Sequence, residues 1–553
     1  HWGPADQTTA IRQRMETHFH QLTEWLLFGS MDFDFLCESL LPELCPTGGN
    51  PFKVGAMAYD AVIVSDCETL RATTLERLEA FQQVGGKLIF LGDAPALEDG
   101  GVSSRGRELW ECSTHIAMER DVLLHALEDQ REITLLDMAS GRSPEHLVYQ
   151  LRQDGSCRWL FLANGKETCN PDIPHAELLH ITLRGCWKPM QWDTITGEQK
   201  PIAHHTAGNV TIIEALLNDY DSLLLHLEPV EHSAFVPEKS RPLTQSVAVP
   251  STARVQLEEP NVLVLDQASY ALDEEPWQEI EELLRIREKL RAQLGWENDE
   301  YQPWVRPVEK PEHQVRLRFT FYCNHTLAGC QLALEDAEET SILLDGESIA
   351  CKETGWYVDP SIRTVPLPVL HPGTHVLELS RSFTQRTYLE WAYLLGDFRI
   401  SGSGRKLALR AAASCEQGYA SLTEQGFPFY GGNVSYSFSV QTRGGALRIR
   451  VPHWRGALLA VSVDGTDMGR IAISPYTLAT PKLEAGSHEV TLTLFGTRAN
   501  TFGPLHLANE KETWIGPDAW HSRGDAWTYE YRLKPFGILS APRIEEIDGE
   551  KKN

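Results

Sequence analysis

The sequence predicts a multidomain protein of mixed class: a small doubly wound parallel α/β domain followed by several antiparallel β-sandwich domains. Three observations lead there. A length of 553 residues allows three to five domains at about 100–200 residues each. Near the N-terminus two apolar, β-branched runs, YDAVIVSD and KLIFLGDAP, flank the helical period of LRATTLERLEAFQQVG, the pattern of a βαβ unit on a buried parallel sheet. From residue 133 the texture changes to short alternating segments such as CRWLFLANG and ELLHITLRG, the signature of half-buried antiparallel strands.

Taken in order, METHFHQLTEWLLFGSMDFDFLCESLL (15–41) carries apolar residues at helical spacing and opens an α/β domain over 1–128. A small sandwich is expected over 129–231. Residues 232–308 read as a linker and a helix. Pro, Ser and Thr accumulate to about residue 260, and PWQEIEELLRIREKLRAQLGW (276–296) is amphipathic with a first-turn Pro and an acidic start that suits the helix dipole. Two further sandwiches are expected over 309–402 and 403–545, with 546–553 a frayed tail. A weak repeat links them: ILLDGESI precedes LHPGTHVLEL, and AVSVDGTDMGRI precedes LEAGSHEVTLTL. Each copy joins an Asp-Gly hairpin turn to a strand introduced by a Gly-Thr-His or Gly-Ser-His turn.

Fifty basic against 77 acidic residues give a net charge of -27, which repels nucleic acid and anionic membranes. No run of 18 apolar residues and no signal peptide stands out, so no membrane partner is expected. The 11 cysteines are scattered without a CxxC pair, which favours a reducing compartment, the bacterial cytoplasm, over a disulfide framework. His1 in place of an initiating Met suggests a fragment or processed chain. The 15 tryptophans suit sugar stacking and large sandwich cores alike.

Several constellations bear on chemistry. Cys67 follows an apparent strand and precedes a helix, but Asp66 and Glu68 stand where a nucleophile elbow needs small residues, and both oppose thiolate formation. His18 with His20, and His204 with His205, lack a third ligand, so no cofactor is expected; structural calcium in sandwich loops is the one metal left open. Glycine-rich phosphate cradles are absent. Glu390 and Asp397 form one of many carboxylate pairs in an acidic chain. The aromatic positions say more. In GWYVDP, Gly355 and Pro360 place Trp356, Tyr357 and Asp359 on or near a loop. In TYLEWAYLLGDF, alternation sets Tyr388 and Glu390 on one face and Leu389 and Trp391 on the other, with burial the competing role for Trp391. The Gly- and Pro-rich stretch 500–538 carries His506, Trp514, Trp520 and Trp527 and is expected either to seal a domain interface or to touch ligand. Trp356, Tyr357, Asp359, Glu390, Trp391, His506 and Trp514 are therefore the sugar-binding candidates.

The order of LTEWLLFGSMDFDFLCESLL, the βαβ segment, WDTITGE, GWYVDP, LEWAYLLGDF and NTFGPLH resembles the C-terminal half of large bacterial glycoside hydrolases, similar to family 106, the α-L-rhamnosidases, and their relatives. The resemblance implies a flavodoxin-like domain after a (β/α)8 catalytic barrel, then jelly-roll, galactose-binding-like sandwiches over 309–402 and beyond. It implies that the acid and base carboxylates lie in the barrel, so none transfers to this sequence and the catalytic residues stay unknown. The expected role is a non-catalytic portion that packs on its own or a separate barrel and contacts plant or microbial glycan. A stand-alone carbohydrate-binding or scaffold protein is the alternative, and a hydrolase or amidotransferase using Cys67 the third possibility.

Overall fold

Strands Ala61–Ser65, Lys87–Leu91 and Thr114–Ile116 form a parallel sheet in that order. Lys87–Leu91 is central and buries Leu88, Ile89, Phe90 and Leu91, which is why its sequence is continuously apolar rather than alternating. Helix Ala72–Gln83 makes the crossover and turns Leu75, Leu78 and Phe81 inward. The structure describes residues 5–166, 170, 173, 175–237, 244–297, 310–403, 406–411, 415–509 and 515–547, and the chain divides into two units, 1–240 and 241–553. The first helix runs Ala5–Phe28 instead of spanning 15–41. Ser30 adopts a left-handed φ of 56°, and this ends the helical path before the apolar residues that follow. The first unit also holds two five-stranded antiparallel sheets whose inward Leu160, Leu225, Ile181 and Ile213 share one core.

The second unit contains two sandwiches. One has a five-stranded sheet in the order Asn261–Leu265, Ala392–Gly396, Gln331–Leu334, Asp359–Pro366, Gly355–Tyr357, and a larger sheet built on Gln267–Leu272, His313–Cys323 and Gly373–Phe383. The other pairs a sheet containing Thr252–Leu257, Val434–Arg443 and Ala485–Leu494 with one containing Thr244–Val247, Arg543–Ile547 and Ala446–Arg450. The segment expected as a linker is thus structural: 244–257 supplies strands to the second sandwich and 261–282 to the first. The expected helix over 276–296 is also shorter. Gln278–Glu282 pairs as a strand, and Leu283–Gln293 is helical with the Glu282 carboxylate accepting from the Arg285 N–H. Nor does the tail begin at 546, because Glu546 and Ile547 belong to Arg543–Ile547 and Glu546 accepts from the Arg443 N–H. Residues 548–553 lie outside the described residues.

The stretch after residue 499 packs on the first sandwich. Leu505 joins that core, with Phe502, Trp520, Tyr531 and Leu533 against it, while Phe536 and Ile538 return to the second core. Phe429 and Tyr430 do the same over a single peptide bond, Phe429 in the first core and Tyr430 in the second. Phe429 meets Tyr531 edge-on at 4.9 Å, and the Thr501 hydroxyl donates to its carbonyl at 2.7 Å.

The sequence repeat corresponds to a specific tie. Asp345 and Asp464 sit in the left-handed region at the first turn position, φ 53° and 51°, followed by Gly346 and Gly465 at φ 86° and 78°, the geometry of a type I′ hairpin. Each Asp bonds the next long strand: His375 Nδ1 and His488 Nδ1 lie 2.7 and 2.6 Å from the carboxylates, and the Val376 and Glu489 N–H groups donate at 2.8 Å. Asp273 and His313 form a third copy that the repeat did not disclose, with contacts of 2.8 Å from His313 Nδ1 and from the Gln314 N–H. In the first two, Nε2 also faces a carbonyl oxygen, of His371 or Glu484, at 2.7 and 2.9 Å, so both ring nitrogens are engaged.

Two outcomes follow from this packing. Phe429→Ala should cost about 3–5 kcal/mol in denaturant unfolding, since the ring is fully buried. The Asp464 bond, then the Glu484 carbonyl, raise the His488 pKa above its usual value, and the His488 bond lowers that of Asp464. The stability contributed by His488 is therefore complete below about pH 6.5 and fades as pH rises through the raised value; the Asp464 share fades only as pH falls through its depressed one. Between about pH 6 and pH 9 the protein should lose more stability than His488→Gln does.

Candidate functional site

A cleft of about 450 Å3 opens in the first sandwich of the second unit, within the range of small-ligand sites. Leu334 and Ala392 from the five-stranded sheet and Val315, Leu317 and Leu379 from the larger sheet supply its apolar lining. Glu335, Asp336, Arg381, Tyr388 and Glu390 supply the polar groups. Arg381 donates to Asp336 at 2.8 Å and lies 3.7 Å from Glu339, so these charges are matched. Glu335 and Glu390 are different. Withdrawal from water, then the negative charge of Glu335, push Glu390 up to about 7, against the pull of Arg287. Withdrawal from water, then Asp336 and Asp359, raise Glu335 too, against a Ser361 hydrogen bond and Arg381. Glu390 keeps solvent access at the mouth, and that water screens part of the effect. Near neutral pH the Glu390 carboxyl can both accept and donate hydrogen bonds, which suits a hydroxyl-rich ligand.

Local sequence explains the placement. Over 388–391 the strand-like alternation points Leu389 and Trp391 into the core and Tyr388 and Glu390 to the cleft. Trp391, 8% exposed, donates to Glu282 Oε1 at 2.8 Å. Glu282 is fully buried, and that burial pushes it up to about 7 despite the Trp391 bond. Behind the cleft, buried Arg287 sets its guanidinium 4.5 Å from the Tyr388 ring centre and donates to the Thr387 carbonyl at 3.2 Å. The Tyr388 hydroxyl lies 3.0 Å from His521 Nε2. These contacts fix Tyr388 from both ends.

The predicted residues divide clearly. Glu390 lines the cleft, and Asp359 stands near it through its effect on Glu335; the N–H and hydroxyl of Ser361 donate to Asp359 at 2.8 and 2.7 Å. Trp356 is 55% exposed and Tyr357 only 6%. They occupy the edge strand Gly355–Tyr357 rather than a glycine-led loop, and the turn falls at Val358, φ 62°. Tyr357 packs on Tyr393 and Phe502 at 5.6 and 6.1 Å. Its burial, like that of Trp391, leaves no ring face for a sugar. His506, 2% exposed, is likewise interior. Its Nε2 lies 2.6 Å from buried Asp266 and its Nδ1 2.8 Å from the Thr528 carbonyl; burial opposes the charge, but the Asp266 bond raises its pKa. Trp514 lies outside the described residues. Glu390 and Asp397 flank opposite ends of Ala392–Gly396, about 20 Å apart along an extended chain, too far for a glycosidase pair. Burial, then Glu38 and Asp66, push the Cys67 thiol up to about 12, which opposes thiolate formation. Among the described residues no group of three or more His, Cys, Asp or Glu could hold a metal ion.

No family model matches the chain, and no curated protein matches it. Among solved structures it is similar to a rhamnosidase from Novosphingobium sp. PP1Y, at 14% identity and a TM-score of 0.44, over 93% of this chain and 36% of that one. It is similar to an alpha-L-fucosidase isoenzyme 2 from Paenibacillus thiaminolyticus at 12% identity and a TM-score of 0.27, over 39% of this chain and 45% of that one. It is also similar to a GH42 exo-carrageenase from Bacteroides ovatus at 12% identity and a TM-score of 0.25, over 38% and 26% of the respective chains. The chain thus spans well under two thirds of the length of each.

The raised Glu390 pKa has a measurable consequence. The folded protein holds that proton more tightly than the unfolded chain, so stability falls as pH rises from the ordinary carboxylate range toward about 7. Glu390→Gln should raise the melting temperature relative to the unsubstituted protein at about pH 8 and make little difference at about pH 4. Scanning calorimetry at the two pH values checks this.

Proposed function

We propose that the chain is the non-catalytic C-terminal portion of an α-L-rhamnosidase-like glycoside hydrolase acting on polysaccharide or glycoside, and that its cleft contacts sugar. The observation that carries the reading is the joining of Tyr388, Glu335 and Glu390 around one apolar-floored cavity. A sugar offers hydroxyls to carboxyl groups and C–H faces to an aromatic ring, and the cleft has partners for both. Catalysis by two carboxylates would fall to a (β/α)8 barrel outside this chain. Deep burial of Trp391, Tyr357 and His506 supports a bracing role for the remaining aromatic groups. The alternative, a stand-alone carbohydrate-binding or scaffold protein, has the same cleft and differs only in lacking a barrel; several hundred further coding residues in eight βα units would favour the enzyme.

The purified chain should bind a monosaccharide from a panel that includes L-rhamnose and D-galactose, and Tyr388→Ala should weaken that binding roughly tenfold, as read by titration calorimetry. It should leave aryl α-L-rhamnosides uncleaved. Turnover that disappears in Glu390→Gln would overturn the non-catalytic reading.

A further inference from the structure

Trp356 raises a question of its own, because consecutive strand residues face opposite sides and only one of Trp356 and Tyr357 can enter the core. Tyr357 does so. That would make Trp356 an ordinary outward residue if the opposite face of the sheet met solvent throughout. It does not. Cross-strand partners lie on one face, and the pairing runs from Leu334 to Arg363 and from Arg363 to Trp356. Leu334 lines the cleft. Trp356 therefore lies on the cleft-side face of the sheet, two strand spacings or about 10 Å from Leu334.

Its position is held firmly. Tyr357 is locked against Tyr393 and Phe502, a bulge separates Trp356 from Tyr357 in the pairing, and Val358 adopts a left-handed φ of 62°, a conformation that costs a β-branched residue energy. Among the described residues Gly355–Tyr357 is the last strand of its sheet, and the indole of Trp356 stays 55% exposed. Arg363, between the two sites, is engaged with Glu353 at 3.6 Å, which leaves a polar step between cleft and ring.

We infer that Trp356 is a second sugar-stacking position in line with the cleft, so that the site takes an oligosaccharide rather than a single sugar. The inference rests on the cleft being a sugar site. An exposed indole offers a flat apolar face for the C–H side of a pyranose ring, and a ligand spanning cleft and ring gains from having both contacts in one molecule.

The test uses the whole chain with monosaccharides of the panel and their linked di-, tri- and tetrasaccharides, followed by titration calorimetry and intrinsic tryptophan fluorescence. Affinity is expected to rise roughly tenfold between monosaccharide and tri- or tetrasaccharide. Trp356→Ala should erase that gain and leave monosaccharide binding unchanged, while Trp356→Phe should keep part of it. A monosaccharide that binds with no gain on lengthening, or a gain that survives Trp356→Ala, overturns the inference and leaves the cleft reading intact. Failure of every sugar, short or long, to bind overturns both.

Discussion

Strand Ala392–Gly396 is buried at every position, and the second unit is arranged around that constraint. A strand hidden on both sides needs cover on both. The larger sheet and its core side chains cover one face of the five-stranded sheet, while on the other Tyr393 and Tyr357 meet Phe502, which lies between strands Ala485–Leu494 and Arg543–Ile547 of the second sandwich. The site inherits its geometry from this layering. Residues just before the buried strand emerge at the cleft, which is where Tyr388 and Glu390 stand, and the outermost strand of the same sheet carries Trp356.

Buried charge is the second organising element. Helix Leu283–Gln293 packs Leu283, Ile286 and Leu290 inward on the same stripe as Arg287 and Arg291. Both guanidinium groups donate to main-chain carbonyls, Arg287 to Thr387 and Arg291 to Gln385, so a helix secures the irregular approach to Tyr388. Close by, Asp266 accepts from His506 and from the Tyr531 hydroxyl at 2.8 Å. Glu281 accepts from Lys289 and, at 3.1 Å, from Tyr529. These bonds join the 500–533 stretch to the first sandwich by directional contacts as well as apolar ones. Removing one member of such a network leaves the other charge stranded in a poor solvent.

Parts of this were legible in the sequence, and the limits have physical causes. The βαβ unit showed because a buried parallel strand is apolar without interruption. Glu390 showed because LEWAY alternates, and the alternation holds until the strand becomes buried on both faces at Ala392. Glu335 was hidden in an acidic run, LEDAEE, where nothing local separates a cleft carboxyl from a solvated one. Arg287 was hidden because an arginine on an amphipathic helix is ordinarily counted with the polar face, although its long stem can lie along an apolar one. The Trp356 turn was misplaced because Gly355 and Pro360 are the usual punctuation, whereas the left-handed residue is the β-branched Val358. The strands of 244–257 went unseen among Pro, Ser and Thr because their partners, Val434–Arg443 and Arg543–Ile547, lie hundreds of residues away.

That last separation bears on how the polypeptide is made. Thr244–Val247 finds its hydrogen-bonding partner in Arg543–Ile547, and ribosomes deliver chain at about 5–20 residues per second. The earlier strand must therefore wait tens of seconds, its edge unpaired, while the first sandwich and most of the second emerge. Its sequence, TQSV, is short and polar and all but Val247 is exposed, a composition that resists pairing with the wrong neighbour. A protein whose closing strand arrives last has to keep its opening strand unattractive until then.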